Sequence, residues 1–499
     1  MWLRAISLSL LWALTVFAQK SSWIATPKIW DDEALKDWAT PIAALGVRPG
    51  HFTSAEYYAA PVDNLMTYPV YRPDREPVGY WERLQKLKPL PLVEPAIMRT
   101  KSDWIKAGEI SFRAMDNPAV RSNDPELIRA VRNIESYRGV WTQADGSLKD
   151  LRWIVTERGV ELTSLECASC HSQPRADGSL FTATGGGDMP AAYSKISPVR
   201  SRRGTMLGML FYPGDPWPVL TWRLFTTPWD PDERIEKWRT LNPADAAQIV
   251  LGGTNTTSTR PHSSPYFITK IPDLRNLRYS RYIDATGTHR LKGADDVARY
   301  AAFVNGADPM EFGKYKILDP KQRRVPVRYA DEVLYAIGEY LLSLETIPNP
   351  EPSPAALVGR GRDVFTRETC VGCHVPPGYT SGNLTVALGF KAPSDHPNKA
   401  DILAISVGTD PGLAMKTRKG TGLYKIPSLR GVWYRAAFLH DGSVASLEEM
   451  FDPARLDPNH VPGGWKAPGV ERGAITGHPF GLGLNSDDKS ALLAFLRSL

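Results

Sequence analysis

Two short stretches of the chain carry cysteine and histidine in the same order and spacing, Cys-x-x-Cys-His. The first holds Cys167, Cys170 and His171, and the second holds Cys370, Cys373 and His374. The chain has only four cysteines, so these stretches use all of them. The spacing is the attachment signature of c-type haem, in which each thiol bonds a vinyl group of the porphyrin and the adjacent imidazole binds the iron. The sequence therefore predicts two covalently bound haem c groups, with His171 and His374 as proximal ligands.

Other chemistry of paired cysteines explains these stretches less well. A zinc site built from all four thiolates has no need of the two histidines. A thioredoxin-like redox pair requires a strand-helix-strand setting and rarely occurs twice in one chain. Disulfides would also leave both histidines without a role, and a bridge that closes a two-residue loop removes little chain entropy. Covalent haem attachment is the interpretation that uses every residue of both stretches.

The first eighteen residues have the composition of a cleaved secretory signal. Arg4 supplies one positive charge, residues 6–17 are mostly apolar, and small residues lead to Ala18. We expect residues 1–18 to be a signal peptide and the mature protein to begin at Gln19. The apolar run is short for a membrane span, which leaves an uncleaved anchor as the alternative, and no later segment is apolar enough to be an integral span. A periplasmic or secreted location agrees with covalent haem attachment and with paired cysteines.

Composition narrows the class of protein. The 499 residues carry a formal net charge of +6, which becomes +5 without residues 1–18 because these contain only Arg4. A charge this small gives no reason to expect nucleic acid as a partner. The 40 glycines and 42 prolines indicate much irregular backbone between helices. We therefore predict a mainly α fold with two cytochrome c-like haem domains and long loops, in which the haems supply part of the core.

The patterns along the chain predict five segments. They are a signal peptide at residues 1–18, an aromatic-rich N-terminal region at 19–150, a first cytochrome c-like haem domain at 151–345, a proline-rich linker at 346–357 and a second cytochrome c-like haem domain at 358–499. We expect the N-terminal region to pack on the first haem domain. Apolar residues at three- and four-residue spacing predict helices within 124–137, 293–306 and 329–345. A terminal helix is predicted after Asn485 or Ser486, either of which can cap it.

An internal repeat links the two haem motifs. The sequence Lys-Ile-Pro-x-Leu-Arg begins at Lys270 and again at Lys425, downstream of each motif. A tyrosine follows at the matching offset in both copies. This arrangement indicates duplication of one cytochrome unit. The copies differ at a position that matters for iron ligation, since His440 of the second copy corresponds to Ala285 of the first.

The second copy and its surroundings resemble the C-terminal signature of the bacterial di-haem cytochrome c peroxidase superfamily, which includes the di-haem enzymes of methylamine utilisation and the rubber oxygenases. The matching residues are Pro427, Leu429, Arg430, the segment Leu439–Val444, Leu447 and Glu448. The long N-terminal region and the segment 162–187 are most similar to the rubber-oxygenase branch. The resemblance implies that the C-terminal haem takes up or stores electrons and that the N-terminal haem reacts with the oxidant. It also implies a calcium ion between the haem domains.

The resemblance further implies a late histidine as second axial ligand of the C-terminal haem. His478 lies just before the final predicted helix, so we predict His374 and His478 as the axial pair. The alternatives are His440, which lies within the signature itself, and Met450, which comes early for the family register. The other histidines, His262, His289, His396 and His460, are expected in solvated loops.

The N-terminal haem is predicted to have an empty or exchangeable sixth position, because its copy of the repeat lacks the histidine. Candidates for a distal ligand there are Met189, Met206, Met209, His262 and His289. The stretch Phe211–Trp238 is dense in aromatic residues and is predicted to wall an apolar pocket that keeps the oxidant from bulk water. No individual catalytic residue is predicted beyond the open distal side of the haem that His171 ligates.

These features predict an exported di-haem c-type oxidoreductase that activates peroxide or dioxygen at the N-terminal haem, with the C-terminal haem in electron transfer. The partner is then a small redox protein or an organic substrate. The alternative is a di-haem electron-transfer cytochrome with two closed haems and no substrate of its own. The sixth position of the first haem distinguishes these two functions.

Overall fold

The structure is a computed structural model, and it describes residues 26–164, 167–185, 217–242, 245, 257–258, 262–435 and 437–499. The predicted signal peptide and the candidate ligands Met189, Met206 and Met209 lie outside the described residues. Helices make up 34% of the structure and strands 14%, so helices predominate, as predicted from the sequence. Within the described ranges, no helix is long and apolar enough to cross a membrane.

The described α-helices vary from single turns to fourteen-residue rods. They are α1 (Asp32–Lys36), α2 (Ser54–Tyr58), α3 (Tyr80–Lys86), α4 (Lys101–Ala114), α5 (Pro125–Val131), α6 (Cys167–Cys170), α7 (Trp217–Phe225), α8 (Glu233–Glu236), α9 (Ala294–Val304), α10 (Asp331–Ser343), α11 (Ala355–Arg367), α12 (Gly412–Met415), α13 (Leu447–Met450) and α14 (Ser486–Arg497).

The described strands are mostly two or three residues long. They are β1 (Val62–Asp63), β2 (Thr67–Tyr71), β3 (Ser147–Thr156), β4 (Gly159–Ser164), β5 (Ser172–Pro174), β6 (Leu180–Thr182), β7 (Thr257–Ser258), β8 (Thr269–Lys270), β9 (Tyr282–Ile283), β10 (His289–Arg290), β11 (Glu311–Phe312), β12 (Tyr315–Lys316), β13 (Arg328–Tyr329), β14 (Leu384–Val386), β15 (Ile402–Leu403) and β16 (Leu423–Lys425). The antiparallel sheet β2–β3–β4 lies in the N-terminal half. In the C-terminal half, β14 pairs in parallel with β15 and antiparallel with β16.

Two helix pairs of the same construction organise the molecule. In the first pair α4 packs against α10, and in the second α11 packs against α14. A Cβ atom at Gly108 would lie 1.9 Å from the carbonyl oxygen of Ala336, and one at Gly361 would lie 1.9 Å from that of Ala491. Only glycine permits so close an approach of two helices. We call α4, α6 and residues 262–345 the first unit, and residues 355–499 the second unit.

Helix packing and regular elements extend across the predicted segment boundaries. Although α4 lies within the region 19–150, it packs on α10 of the first unit. Residue 150 lies inside β3, and α11 begins at Ala355, inside the predicted linker. The N-terminal region therefore supplies one of the two crossing helices of the first unit.

Aromatic residues of the N-terminal region fill two cores. Trp30 and Trp104 are almost completely buried in one apolar cluster with Ile337 of α10. Trp153 is equally buried in a second cluster with Tyr80, where β3 packs against α3. Burial of large aromatic side chains contributes much of the stability of both cores.

The predicted helices are confirmed within 293–306, 329–345 and the C-terminal segment, where α9, α10 and α14 are found. The side chain of Asn485 caps α14 by accepting a hydrogen bond from the amide of Asp488. The pattern at 124–137 is instead divided between α5 and a 3-10 turn at Ile134–Tyr137. Asn133 caps that turn with its side chain, which ends the continuous helix.

The two units meet through the repeated Lys-Ile-Pro segments. The amide of Lys270 donates to the carbonyl oxygen of His440 (2.7 Å), and the amide of Lys425 donates to that of Ala285 (2.8 Å). Both pairs of corresponding residues are 155 positions apart, from 270 to 425 and from 285 to 440. The units therefore exchange equivalent hydrogen bonds, as expected for two copies related by an approximate twofold axis.

Candidate functional site: two cysteine-histidine motifs and a buried cavity

The first haem motif forms helix α6, and His171 follows it directly. The amide of His171 donates to the carbonyl of Cys167 (3.0 Å), which folds the motif into one turn. The ring Nδ1 of His171 donates to the carbonyl oxygen of Pro272 at 3.0 Å. A carbonyl oxygen can only accept, so Nδ1 carries the proton and Nε2 keeps its lone pair. This tautomer places the lone pair on Nε2, the atom that would bind a metal.

The second haem motif has the same local geometry, with a 3-10 turn at Cys370–Gly372. The amide of His374 donates to the carbonyl of Cys370 (2.9 Å), and its ring Nδ1 donates to the carbonyl oxygen of Tyr379 (3.1 Å). Burial lowers the pKa of His374, whereas hydrogen bonds to the carbonyls of Tyr379 and Pro427 oppose this effect. With the proton on Nδ1, the neutral ring carries its lone pair on Nε2.

The Lys-Ile-Pro segments have a local function that sequence reasoning missed. The proline of the first segment, Pro272, provides the carbonyl that orients His171, and Pro427 of the second contributes a carbonyl to His374. Such a bond fixes the ring orientation and strengthens the histidine as a ligand. The repetition of the segment after each haem motif was the available signal for this role.

His478 lies in the loop before α14, where the backbone is tightly held. Its amide donates to the carbonyl of Val407 (2.6 Å). The buried side chain of Arg455 donates to the carbonyl of His478 at 2.8 Å and also to the carbonyls of Ile475 and Met450. The φ angle of His478 is +56°, a left-handed conformation that is uncommon outside glycine. Backbone strain retained in so well anchored a loop is typical of functional positions.

The structure brings the ring of His478 opposite the ring of His374. The ring centroids are 6.3 Å apart and the planes make an angle of 55°. A metal–imidazole bond of about 2 Å on each side, added to the distance from each nitrogen to its ring centre, gives roughly 6 Å. Burial and the nearby His374 lower the pKa of His478 to about 4, so this ring is neutral too. Two neutral imidazoles at this separation fit the axial positions of one haem iron.

The alternative ligands have other partners. Nδ1 of His440 bonds the hydroxyl of Thr409 (3.1 Å), and Nε2 lies 3.4 Å from the hydroxyl of Tyr424. Met450 ends α13 and is buried in an apolar cluster with Leu447 and Phe451. Both ring nitrogens of His440 thus have hydroxyl partners, and Met450 is part of the apolar core.

The first unit has a different residue at the position that His478 occupies in the second. Helices α10 and α14 begin at residues 331 and 486, which keeps the spacing of 155 between the units. Eight residues before these helix starts lie Arg323 and His478. Arg323 donates through Nη1 to Glu56 (2.7 Å) and through Nε to Glu311. Because a guanidinium has no lone pair to offer, Arg323 is not an iron ligand.

A partly open cavity of about 300 Å³ lies where the two units and the N-terminal region meet. Its apolar wall includes Ile42, Phe303, Met310, Phe312 and Leu318. Most of these residues share an apolar cluster with Leu224, Phe225 and Trp238. The aromatic stretch predicted at 211–238 therefore packs behind the cavity wall through its described part, residues 217–238.

The opposite wall of the cavity is polar and contains a chain of hydrogen bonds that ends on a histidine. The hydroxyl of Thr288 donates to Asp284 Oδ2 (3.0 Å) and bonds Nδ1 of His289 (3.0 Å). Asp284 Oδ2 also accepts from Tyr300 and from Lys419 Nζ. Within the described part of the chain, Nε2 of His289 is buried without a hydrogen-bond partner. The threonine and the carboxylate thus fix the ring and leave its Nε2 lone pair available.

Four aromatic rings crowd His289. Those of Trp38, Phe303, Tyr300 and His51 have centroids 4.1, 5.0, 5.4 and 6.0 Å from its own. This packing leaves no room for a porphyrin against the ring, which argues against His289 as an axial ligand. The expectation that His289 lies in a solvated loop is wrong, because aromatic packing buries it to 2% exposure.

His262 is also not a solvated loop histidine. Its Nε2 lies 2.8 Å from Asp308 Oδ2, with both side chains largely buried. Burial lowers the pKa of His262, and Arg418 lowers it further. The remaining two depart from the expectation as well, since His396 is buried and His460 bonds Glu449 at 2.9 Å.

Among the described residues, no group of three or more His, Cys, Asp or Glu side chains is arranged to hold a metal ion. The calcium ion that the resemblance implies therefore remains a prediction. None of the four cysteines forms a disulfide.

Solved structures similar to this chain were found, all with low TM-scores. One is hydrazine synthase of Kuenenia stuttgartiensis (TM-score 0.28, 14% identity, 58% of this chain and 87% of that chain covered). Another is a MauG-like protein associated with microbial copper homeostasis (TM-score 0.29, 19% identity, 57% of this chain and 88% of that chain covered). A third is the diheme peroxidase BthA from Burkholderia thailandensis E264 (TM-score 0.27, 19% identity, 52% of this chain and 77% of that chain covered). No protein-family profile and no curated protein matches the sequence.

Because the three TM-scores lie below 0.3, we derive the function from the residues of this chain.

Proposed function

We propose that this protein is an exported di-haem c-type oxidoreductase, in which the haem at His171 activates peroxide or dioxygen and the haem at His374 transfers electrons. The proposal rests mainly on one observation. Two units of the same construction differ at the second axial position, where the second has His478 and the first has Arg323. A haem with both axial positions filled exchanges electrons, whereas one with an open position binds and activates a small oxidant.

The residues of both motifs support covalent haem at each. Both proximal histidines donate Nδ1–H to a backbone carbonyl and keep the Nε2 lone pair for a metal. Two cysteines stand in the same turn as each histidine, in the order that thioether attachment requires. In the second unit the opposed ring of His478 adds a second axial ligand at a fitting separation.

The cavity supports the first unit as the oxidant site. Phe303, Met310 and Phe312 give it an apolar wall. On the polar side, His289 presents an unprotonated Nε2 to the cavity while Thr288 and Asp284 keep its ring in place. A neutral imidazole nitrogen can accept a hydrogen bond from bound peroxide and so orient it.

The remaining parts of the proposal concern location and partners. We place the protein in the periplasm or outside the cell, with a small redox protein or an organic substrate as electron source. Electrons enter at the closed haem of the second unit and are used at the open haem of the first. A calcium ion between the units belongs to the same proposal.

The proposal is tested by the reaction of the fully reduced protein with its oxidant. After haem staining of a denaturing gel has verified covalent attachment, the reduced protein is mixed with one equivalent of hydrogen peroxide, or with air-saturated buffer. Rapid oxidation of both haems is expected, and prior addition of carbon monoxide, which binds an open ferrous haem, should slow it while both haems stay bound. A reduced protein that remains stable to both oxidants would instead be an electron carrier.

A further inference from the structure

Two lysines occupy equivalent positions beside the haem motifs. Lys270 and Lys425 each stand two residues before the proline whose carbonyl bonds a proximal histidine. Their backbone amides make the equivalent hydrogen bonds across the interface of the two units. Duplication has therefore kept a lysine at the same place relative to each motif.

Neither lysine forms an ion pair among the described residues. The carboxylate that attracts Lys270, Asp273, is bonded by Arg435 (2.9 Å), and the one that attracts Lys425, Asp284, is bonded by Lys419 (2.8 Å). Lys270 Nζ lies 5.6 Å from the ring of Phe438, a weak attraction.

Both ammonium groups are enclosed by protein. Each side chain keeps some accessible surface although protein atoms surround it. Burial lowers the pKa of Lys270 to about 7 and that of Lys425 to about 8. Placing two unpaired cations in such surroundings is costly, so an anionic partner is expected for each.

We propose that Lys270 and Lys425 are the counter-charges of haem propionates, each pairing with a propionate of the haem whose proximal histidine its own segment holds. The inference rests on the proposed function, because it requires a haem at both motifs. A haem c keeps two carboxylates free after its vinyl groups have reacted, and these are the anions that a haem brings to this place. An ammonium–carboxylate pair beside the ring also gives the protein a means of setting the reduction potential.

The test uses the full-length protein with both haems attached. Lys270→Met and Lys425→Met remove one charge each at similar side-chain length, and Lys270→Arg and Lys425→Arg keep it. Since reduction adds an electron, a nearby cation favours the reduced haem. We expect each Met variant to lower the midpoint potential of its own haem in a spectroelectrochemical titration, while the other haem and both Arg variants stay at wild-type values. Lys391→Met, at an exposed position, is the control for loss of a surface charge.

The outcomes separate this inference from the proposed function. Met variants that carry two haems at wild-type potentials, or that shift only the haem of the other unit, would overturn the lysine assignment and leave the proposed function standing. A wild-type protein without covalent haem would overturn the proposed function itself. If the Met variants do not accumulate, Lys270→Gln and Lys425→Gln replace them with the same expected shifts.

Discussion

At the scale of single residues, the histidines differ in whether their ring nitrogens have partners. His440 bonds protein hydroxyls through both nitrogens. Nδ1 of His478 is buried without a partner among the described residues, and its ring lies opposite His374. The complete hydrogen bonding of His440 assigns it to the scaffold, whereas the position of the His478 ring opposite His374 suits ligation.

The first prediction separates these two histidines. His478→Ala should remove one axial ligand of the second haem and convert that haem from low spin to high spin, with the first haem unchanged. His440→Ala should leave the spin state of both haems as in the wild type, because it removes only bonds to Thr409 and Tyr424. Absorption and electron paramagnetic resonance spectra of the oxidised proteins distinguish the two states. A spin change in His440→Ala but not in His478→Ala would show the ligand assignment to be wrong.

The second prediction concerns His289 and pH. Burial holds its pKa well below the ordinary value, whereas in the unfolded chain it titrates at about 6.5. Below that pH the unfolded chain binds a proton that the folded protein does not, so the free energy of unfolding falls as the pH falls. Between about pH 7 and pH 5 this residue alone costs about 2 kcal/mol of stability.

The test compares the wild type with His289→Gln. Urea unfolding, followed by circular dichroism at both pH values, should show a loss of stability about 2 kcal/mol smaller in the variant. The absolute stabilities do not matter for this comparison, since only their change with pH is used. An equal loss in the two proteins would mean that His289 already carries a proton in the folded state.

The sequence predicted the proximal ligands because their spacing to the cysteines is local and chemically fixed. It did not predict the carbonyl of Pro272 or the guanidinium of Arg455, since these reach the histidines from distant parts of the chain. His478 was selected through resemblance, and its meeting with His374 across about a hundred residues is a property of the fold alone.

At the scale of elements, the two crossing helix pairs are the parts that repeat most clearly. Each crossing depends on a glycine that lets the helices approach to backbone contact. Helix α11 of the second pair offers an internal comparison, because it contains Gly361 at the crossing and Gly359 two positions before it, facing open space.

The third prediction uses these two glycines. In Gly361→Ala the new methyl group would lie 1.9 Å from the carbonyl oxygen of Ala491, so the helices must separate, at a cost of about 2 kcal/mol or more. Gly359→Ala meets no atom within 4 Å and should stabilise the helix by about 0.5–1 kcal/mol. Thermal or urea unfolding measures both changes. Equal effects of the two substitutions would mean that α11 and α14 do not cross at Gly361.

Long, strongly periodic helices were predictable because one face of each is apolar at helical spacing, as in α10 and α14. The helix α4 was not assigned to the first unit, since its partner α10 lies more than two hundred residues further along the chain. Periodicity indicates that a helix exists and leaves open which helix it packs against. The packing of α4 against α10 becomes visible only in the structure, at the close approach of Gly108 to Ala336.

At the scale of the whole molecule, two copies of one unit have kept their construction and diverged at one functional position. The Lys-Ile-Pro segments, the glycine crossings and the spacing to the last helix are shared. The distal position differs, with His478 in one unit and Arg323 in the other. The N-terminal region adds α4 to the first unit and part of the cavity wall beside it.

The fourth prediction follows from this asymmetry and tests the central claim. Carbon monoxide is added to the dithionite-reduced protein in known amounts, and the Soret band is followed to saturation. The open sixth position of the first haem and the histidine-closed second haem predict binding of one carbon monoxide per two haems. In His478→Ala the ratio should rise to two per two haems. Absence of binding in the wild-type protein, or binding at both haems, would contradict the account.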